Sequence, residues 1–285
     1  MSMMTKLKEG LKSETLRKLF CNQRVYAALV ALPLLAAFLA WAPAWLFFIF
    51  LLVVMGLAMN EGWPLFFGER GGFLLHGPVW FVSYLMLFAA FFGGVSGLAG
   101  SLTIGLFVLV LLLFFSGLES EALPRFAMAL LFVVYLPFLF AHIFLIHQLP
   151  QGRGLVVLLL TVTWGGDAFS YYGGTYFGKR KLAPRISPNK TVEGFVAGLF
   201  GGAFFALLLG WLNLVDLPWN LLAALGVAAN FCGQLGDLFE SFMKRSQGIK
   251  DSGSLIPGHG GFLDRVDSVL FAAPVIFYCY LFWGM

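Results

Sequence analysis

Charged residues are scarce in this chain: Asp, Glu, Lys and Arg make up 11% of its 285 residues, whereas hydrophobic residues make up 60%. A water-soluble domain of this length needs a more polar surface, so the soluble class is excluded. Apolar runs of membrane-spanning length recur along the chain, which predicts an all-α, polytopic integral membrane protein. The net charge of +4 reflects loop orientation in such proteins, and we expect no nucleic-acid partner.

Cysteine and histidine are also scarce, with three Cys and four His in the whole chain. Cys21, Cys232 and Cys279 are too far apart in sequence to form a CxxC site, and they lie in or near apolar segments. They are therefore interpreted as small buried hydrophobic residues. His259 has no second His or Cys nearby, which argues against a zinc site.

The hydropathy of the chain predicts about nine transmembrane helices. Residues 1–24 precede them with six Lys and Arg, and are predicted to form a cytoplasmic amphipathic lead-in. The first apolar run ends in Ala42-Pro43-Ala44, which resembles a signal-peptide cleavage site, but further spans follow and we favour an uncleaved first helix. The nine candidate spans are residues 25–41, 45–59, 76–95, 102–117, 126–146, 155–177, 193–212, 219–243 and 266–284.

The distribution of positive charge predicts the orientation of these spans. If the N-terminus lies inside, every Lys and Arg except Arg153 falls in a segment that faces the cytoplasm. We therefore expect an integral protein of the bacterial cytoplasmic (inner) membrane, with its polar loops in the cytoplasm. The spans within residues 25–150 carry almost no interior charge and are predicted to be a scaffold, whereas residues 151–285 are predicted to be the catalytic region.

Polar residues become frequent from the sixth span onward. Asp167 lies deep in an apolar segment, so we expect it to face a hydrated cavity or another helix. Downstream, Ser187, Asn189, Lys190 and Thr191 provide hydroxyl, amide and ammonium donors just before a helix, an arrangement that suits phosphate binding. Glycines recur every fourth residue in the following span and predict close helix packing, either within the chain or across a dimer. These glycines are Gly194, Gly198 and Gly202.

The densest group of charges extends from Asp237 to Asp267. Asp237, Glu240, Ser241 and Lys244 are spaced to share one helix face, which must line a polar cleft or the cytoplasmic mouth. Asp237 and Asp264 flank a glycine-rich loop, and two apposed carboxylates suit a hard cation such as Mg²⁺. The residue types predict metal-dependent phosphate chemistry at a membrane. The positive field would come from Lys244, Arg245, Lys250 and Arg265, with His259 as a further donor.

The segment Ser241–Asp267 resembles the signature of the phosphatidate cytidylyltransferase (CDP-diacylglycerol synthase) family. Similarity also includes S-P-x-K-T-x-E-G from Ser187 to Gly194, and it covers roughly residues 160–285. Around Asp167 the chain reads DAFSYYGG, which departs from the D-S-x-A-Y form common in the family. The matching elements of the signature are S-x-M-K-R at 241–245, Lys250-Asp251, Gly253, and I-P-x-H-G-G-x-x-D-R-x-D at 256–267.

The resemblance implies transfer of a cytidylyl group from CTP to phosphatidic acid, in phospholipid biosynthesis. It assigns Asp237 and Asp264 to a Mg²⁺ centre with Asp267 as a third contributor, and it leaves a second cation open between Mg²⁺ and a monovalent ion such as K⁺. Catalytic roles fall to Asp237, Asp264, Lys250, His259 and Arg265. The expected substrate-binding residues are Asp167, Ser187, Asn189, Lys190, Thr191, Glu193, Lys244, Arg245, Asp251, Gly260 and Gly261.

Two other functions fit a cytoplasmic face that carries both basic and acidic residues. A CTP-dependent lipid kinase of the polyprenol type would release CDP instead of pyrophosphate, and the uninterrupted signature argues against it. An ion or phosphate transporter would use Asp167, Asp237 and Asp264 as coupling sites, but transporters often carry matching polar sets in two related halves. Here the polar groups cluster in the second half of the chain.

Overall fold

The computed structural model describes residues 34–35, 37–68, 73–115, 120–249, 252–253 and 261–283. It contains a π-helix, Val134–Phe138, and a short 3₁₀ helix, Leu263–Arg265. Residues 34–35 and 37–41 are also helical. The α-helices are α1 (Ala44–Phe67), α2 (Phe73–Phe115), α3 (Ala122–Val133), α4 (Leu139–Gln148), α5 (Gly152–Phe177), α6 (Val192–Trp211), α7 (Trp219–Ser246) and α8 (Asp267–Trp283).

The apolar helices confirm an all-α, polytopic membrane protein. Within the described residues, six helical segments are long and apolar enough to cross a membrane, and the 17-residue α8 is a shorter apolar helix. The predicted spans from 45–59 onward each overlap a described helix. The first predicted span, 25–41, lies mostly outside the described residues, so the count of nine stays a prediction.

Helix α2 is two predicted spans joined by a tight turn. Gly94 has φ 57° and ψ −140°, a conformation that breaks the helix and that glycine adopts without a Cβ clash. A Cβ on Gly105 would lie 2.6 Å from Val82 Cγ1, so the second limb runs back along the first. Each limb has about 20 residues and is about 30 Å long, which is sufficient to cross the hydrocarbon core.

The four-residue glycine repeat of α6 packs inside the chain. A Cβ on Gly194 would lie 2.6 Å from the Ser170 carbonyl oxygen of α5, and one on Gly202 would lie 2.5 Å from the Gly226 carbonyl oxygen of α7. The absence of side chains therefore lets the three helix backbones approach closely. Of the two alternatives for this face, packing within the chain is the one that the structure shows.

The segment between α5 and α6 forms a small antiparallel hairpin. Strand β1 (Lys181–Ala183) pairs with β2 (Ser187–Thr191). Pro188 is tolerated because both strands of a two-stranded sheet are edges. Helix α6 begins directly after β2, where the Thr191 hydroxyl accepts a hydrogen bond of 3.1 Å from Gly194 N. The hairpin and this cap thus hold β2 at the start of α6.

Side-chain hydrogen bonds hold the opposite end of the bundle together. The Gln151 side chain pairs with the backbone of Asp216, in the α6–α7 connection, at 3.2 and 2.6 Å. The Arg153 guanidinium donates to the carbonyl oxygens of Ala40 and Ala42 at 2.7 and 3.1 Å. The one cation predicted outside the cytoplasmic segments therefore satisfies carbonyl groups at the end of a helical segment, where cations stabilise.

Candidate active site

A cavity of about 1170 Å³ opens at the hairpin end of the bundle. Its walls come from the C-terminal halves of α5 and α7, the start of α6, the hairpin, and the chain that leads into α8. Residues from both predicted halves of the site, the 187–194 segment and the 237–267 segment, therefore face one space. The predicted site residues that line it are Asp167, Asn189, Lys190, Thr191, Asp237, Lys244, Asp264, Arg265 and Asp267.

Four other predicted residues are described but are not part of this lining. The Glu193 carboxylate accepts hydrogen bonds from the backbone N–H groups of Lys179 and Arg180 at 3.0 and 3.2 Å, so it ties the end of α5 to the start of α6. The Arg245 guanidinium donates to two backbone carbonyl oxygens. Ser187 begins β2, and Gly261 N donates to the Asp264 carboxylate. Outside the described residues lie Lys250, Asp251, His259 and Gly260.

Two lysines pair with the carboxylates that were assigned to the metal centre. Lys190 Nζ, on β2, lies 2.5 Å from Asp237 Oδ2 on α7, so the hairpin and α7 meet through this ion pair. Lys244 Nζ lies 2.5 Å from Asp264 Oδ1 and 3.4 Å from Glu240 Oε2. The α7 face predicted from spacing thus contributes both signs of charge to the cavity.

Backbone N–H groups complete the surroundings of Asp264. Its Oδ2 accepts hydrogen bonds from Gly261 N at 2.9 Å and from Ser252 N at 3.4 Å. Burial alone would raise the pKa of this carboxyl, but the Lys244 ammonium and the hydrogen-bond donors outweigh it, and the pKa lies below its ordinary value. Asp264 is therefore ionised at neutral pH and can hold a cation or orient a donor.

The donor set fits a hard divalent cation. The Glu240 side chain is 1% exposed, and no described N–H or O–H group donates a hydrogen bond to either of its oxygens. A buried carboxylate in that state calls for a positive partner beyond Lys244. Among the described residues no three acidic, His or Cys side chains form a metal-binding group, but Mg²⁺ commonly uses one or two carboxylates together with substrate phosphates. The carboxylates that line the cavity are Asp167, Asp237, Glu240, Asp264 and Asp267.

A chain of polar side chains forms the floor of the cavity, and the sequence interpretation missed it. Ser170 Oγ donates to Gln234 Oε1 at 3.3 Å, and Gln234 Nε2 donates to the Phe195 carbonyl oxygen at 3.1 Å and to Asn230 Oδ1 at 2.8 Å. Asn230 in turn donates to the Val162 carbonyl oxygen at 3.1 Å. These bonds join α5, α6 and α7 below the carboxylates. Polar residues four apart on an apolar helix, Asn230 and Gln234, were the available signal.

A second missed residue comes from the half of the chain that was predicted to be a scaffold. Glu61 lies on α1, is buried, and accepts a hydrogen bond from Leu263 N at 2.9 Å. Leu263 begins the 3₁₀ helix that carries Asp264 and Arg265. A lone carboxylate near the end of an apolar helix was the signal that could have indicated it.

The fold and the cavity define a class of protein: a polytopic membrane protein whose polar cavity, with five carboxylates and several cations, suits phosphate-bearing ligands. Comparison with known sequences then identifies the family. The chain belongs to the Cytidylyltransferase family, whose sequence profile matches residues 22–283.

Several curated relatives carry the name phosphatidate cytidylyltransferase. The protein from Bacillus subtilis (strain 168) is 37% identical over 178 residues, which cover 61% of this chain and 66% of the relative. The proteins from Pseudomonas aeruginosa and Thermotoga maritima are 43% and 38% identical over 141 and 162 residues. These two matches cover 49% and 54% of this chain, and 51% and 58% of the relatives. The chain thus spans about half to two thirds of the length of the curated relatives that it matches.

Proposed function

We propose that this protein transfers the cytidylyl group of CTP to phosphatidic acid and releases CDP-diacylglycerol and pyrophosphate. The observation that carries the proposal is the cavity, in which Lys190, Lys244 and Arg265 lie among carboxylates at one end of the membrane helices. Membership of the Cytidylyltransferase family and the names of the relatives support the same reaction.

The reaction requires charge neutralisation more than proton removal. An oxygen of the lipid phosphate attacks the α-phosphorus of CTP, a new phosphorus–oxygen bond forms, and the bond to the bridging oxygen of the β-phosphate breaks to release pyrophosphate. The lipid phosphate is already anionic at neutral pH, so no strong base is needed. Positioning and electrostatic stabilisation dominate such transfers. Lys190 and Arg265, with Lys250 and His259, are the proposed phosphate contacts, while Lys244 and Arg245 attract the acidic lipid.

Asp237 and Asp264 would hold Mg²⁺, with Asp267 as a third contributor and a second cation, Mg²⁺ or K⁺, in the same cavity. The bound ions would offset the negative charge of the triphosphate and of the departing pyrophosphate. Glu240 extends this proposal, since its buried oxygens lie in the same lining. The protein's own part is to hold these carboxylates beside the lysines.

The proposed location is the bacterial cytoplasmic membrane, with the cavity on the cytoplasmic side and residues 151–285 as the catalytic region. The concentration of Lys and Arg at the cavity end supports this orientation, because positive residues remain on the cytoplasmic side. A homodimer stays a prediction. It would need a surface other than the Gly194, Gly198 and Gly202 face, which is occupied within the chain.

The direct test uses purified protein in detergent micelles with phosphatidic acid and CTP labelled at the α-phosphate, with and without Mg²⁺. We expect Mg²⁺-dependent formation of labelled CDP-lipid together with pyrophosphate. In a parallel assay with a polyprenol as the lipid, labelled CDP and an unlabelled phosphorylated lipid would instead indicate a CTP-dependent lipid kinase. Phosphate or ion flux into proteoliposomes without CTP would indicate a transporter.

The proposed metal role of Asp264 is tested by Asp264→Asn, with Asp216→Asn as the control. Asp216 is exposed in the α6–α7 connection, at the end of the bundle opposite the cavity. We expect turnover at saturating Mg²⁺ to fall by about 100-fold in Asp264→Asn, which corresponds to about 2.7 kcal/mol of transition-state stabilisation. Turnover in the control should not change. Normal Mg²⁺-dependent turnover of Asp264→Asn would make the metal assignment wrong.

A further inference from the structure

Glu61 connects the first described transmembrane helix to the chain that enters α8. It lies six residues before the last residue of α1, Phe67, and is only 6% exposed, and its Oε2 accepts the hydrogen bond from Leu263 N at 2.9 Å. The two residues are 202 positions apart in sequence. Burial of a carboxylate in an apolar helix costs free energy of desolvation, so it requires compensating contacts.

The Glu61 carboxylate is enclosed by two glycines of that chain. A Cβ on Gly253 would lie 2.6 Å from Glu61 Cδ, and a Cβ on Gly261 would lie 2.8 Å from Glu61 Oε2. At Gly253 the three atoms nearest to such a Cβ all belong to Glu61, whereas at Gly261 the Cβ would also meet Ser252 Oγ. Because glycine has no Cβ, the backbone at both positions can approach the Glu61 carboxylate closely.

The carboxylate of Asp264 contacts the same two segments, Ser252–Gly253 and Gly261–Leu263. Its Oδ2 accepts hydrogen bonds from Ser252 N and Gly261 N, while Glu61 packs on Gly253 and Gly261 and binds Leu263 N. Hydrogen bonds from N–H groups to ionised carboxylates are stronger than neutral ones. The two carboxylates thus contact both Ser252–Gly253 and Gly261–Leu263, and Asp264 is directed toward Lys244 at 2.5 Å.

We propose that Glu61 is a positioning residue for the reaction in the cavity: by holding Leu263 N and the two glycines, it fixes the 3₁₀ turn that presents Asp264 and Arg265. This proposal rests on the proposed function for its kinetic consequences, but its structural consequence is independent of it. The half of the chain without signature residues then contributes directly to the geometry of the site.

The first test compares Glu61→Ala with Glu61→Gln, which keeps an oxygen acceptor for Leu263 N. In Glu61→Ala we expect kcat to fall 10- to 100-fold with less than about threefold change in KM for either substrate, because misplacement of a reacting group acts mainly on turnover. Glu61→Gln should retain kcat within about threefold. Met59→Ala is the control, since Met59 is fully buried on the same helix and its loss weakens packing without removing an acceptor.

The second test uses the clash at Gly253. Gly253→Ala should lower kcat by about tenfold or more in the wild-type background, because its Cβ meets the Glu61 carboxylate. In the Glu61→Ala background the same change should cost less than about twofold, since the obstructing group is gone. Additive effects of the two substitutions on kcat would overturn the proposed contact.

A hydrogen-exchange measurement separates this inference from the proposed function. We expect the segment with Leu263, Asp264 and Arg265 to exchange at least tenfold faster in Glu61→Ala than in wild type, Glu61→Gln or Met59→Ala. If wild-type protein makes no CDP-lipid but the variants show this exchange pattern, the proposed reaction is refuted while the positioning role of Glu61 for the 3₁₀ helix is supported. Equal exchange and equal kcat in Glu61→Ala and Met59→Ala would overturn the role of Glu61.

Discussion

At the scale of single residues, the two lysine–carboxylate pairs differ in their access to water. The Lys190–Asp237 pair has side chains 25% and 32% exposed, whereas Lys244 is 12% exposed and its partners Asp264 and Glu240 are 14% and 1% exposed. Solvent screens the first pair more strongly, because water is free to reorganise around both charges. Loss of a lysine should consequently cost more at position 244.

We therefore expect Lys244→Met to lower the free energy of unfolding by about 3 kcal/mol, because it leaves two carboxylates without their shared ammonium in a buried site. Lys190→Met is the matched comparison and should cost about 1 kcal/mol or less. Thermal unfolding in the same detergent, without substrates, measures both. Equal shifts in Tm would contradict the difference in burial.

The residues of the site could be predicted as far as they lie in local patterns. Lys190, Asp237, Lys244 and Asp264 were all singled out because spacing and residue type indicate phosphate and metal chemistry, and the structure brings them to one cavity. Glu61 was not, because its contact with the 3₁₀ turn joins segments that are distant in sequence. A charge in an apolar helix indicates that a partner exists but does not identify it.

At the scale of the elements, hydropathy predicts the helices well because each apolar run must satisfy its own backbone hydrogen bonds in the membrane. Residues 76–95 and 102–117 were predicted as separate spans, and α2 turns at Gly94, near the end of the first of them. The hairpin between α5 and α6 was not predicted, since strands of three and five residues that contain a proline carry almost no periodic signal. Tertiary contacts stabilise this hairpin: Lys190 pairs with Asp237 of α7, and Glu193 accepts a hydrogen bond from Lys179 N, just before β1.

Substitution of Gly202 tests the close contact between α6 and α7. We expect Gly202→Ala to destabilise the protein by about 1–3 kcal/mol, because its Cβ would lie 2.5 Å from the Gly226 carbonyl oxygen and the backbones must separate. Gly100→Ala in α2 is the control, since no atom lies within 4 Å of its Cβ position. That change should be neutral or slightly stabilising, because alanine favours helix. A comparable loss of Tm in both variants would contradict the packing argument.

At the scale of the whole molecule, the two ends of the bundle differ in charge and in aromatic residues. Of the described Lys and Arg residues, Arg153 is the one that lies at the end with the α6–α7 connection. Exposed Trp41, Trp45, Trp211 and Trp219 surround that end, and exposed tyrosines of α5 surround the cavity end. Aromatic side chains at both interfaces and cations at one are the pattern expected of a membrane protein with its cavity in the cytoplasm.

The orientation can be measured with one cysteine at each end in a variant whose native cysteines are replaced by serine. Arg185→Cys lies in the exposed hairpin turn beside the cavity, and Asp216→Cys lies in the exposed α6–α7 connection. A membrane-impermeant maleimide should label Asp216→Cys in intact spheroplasts, and Arg185→Cys only in inverted vesicles. This follows because moving the hairpin end across the membrane would translocate a cluster of Lys and Arg, which the positive-inside rule opposes. The reverse labelling pattern would place the cavity on the side without CTP and would remove the basis for a cytoplasmic CTP-dependent reaction.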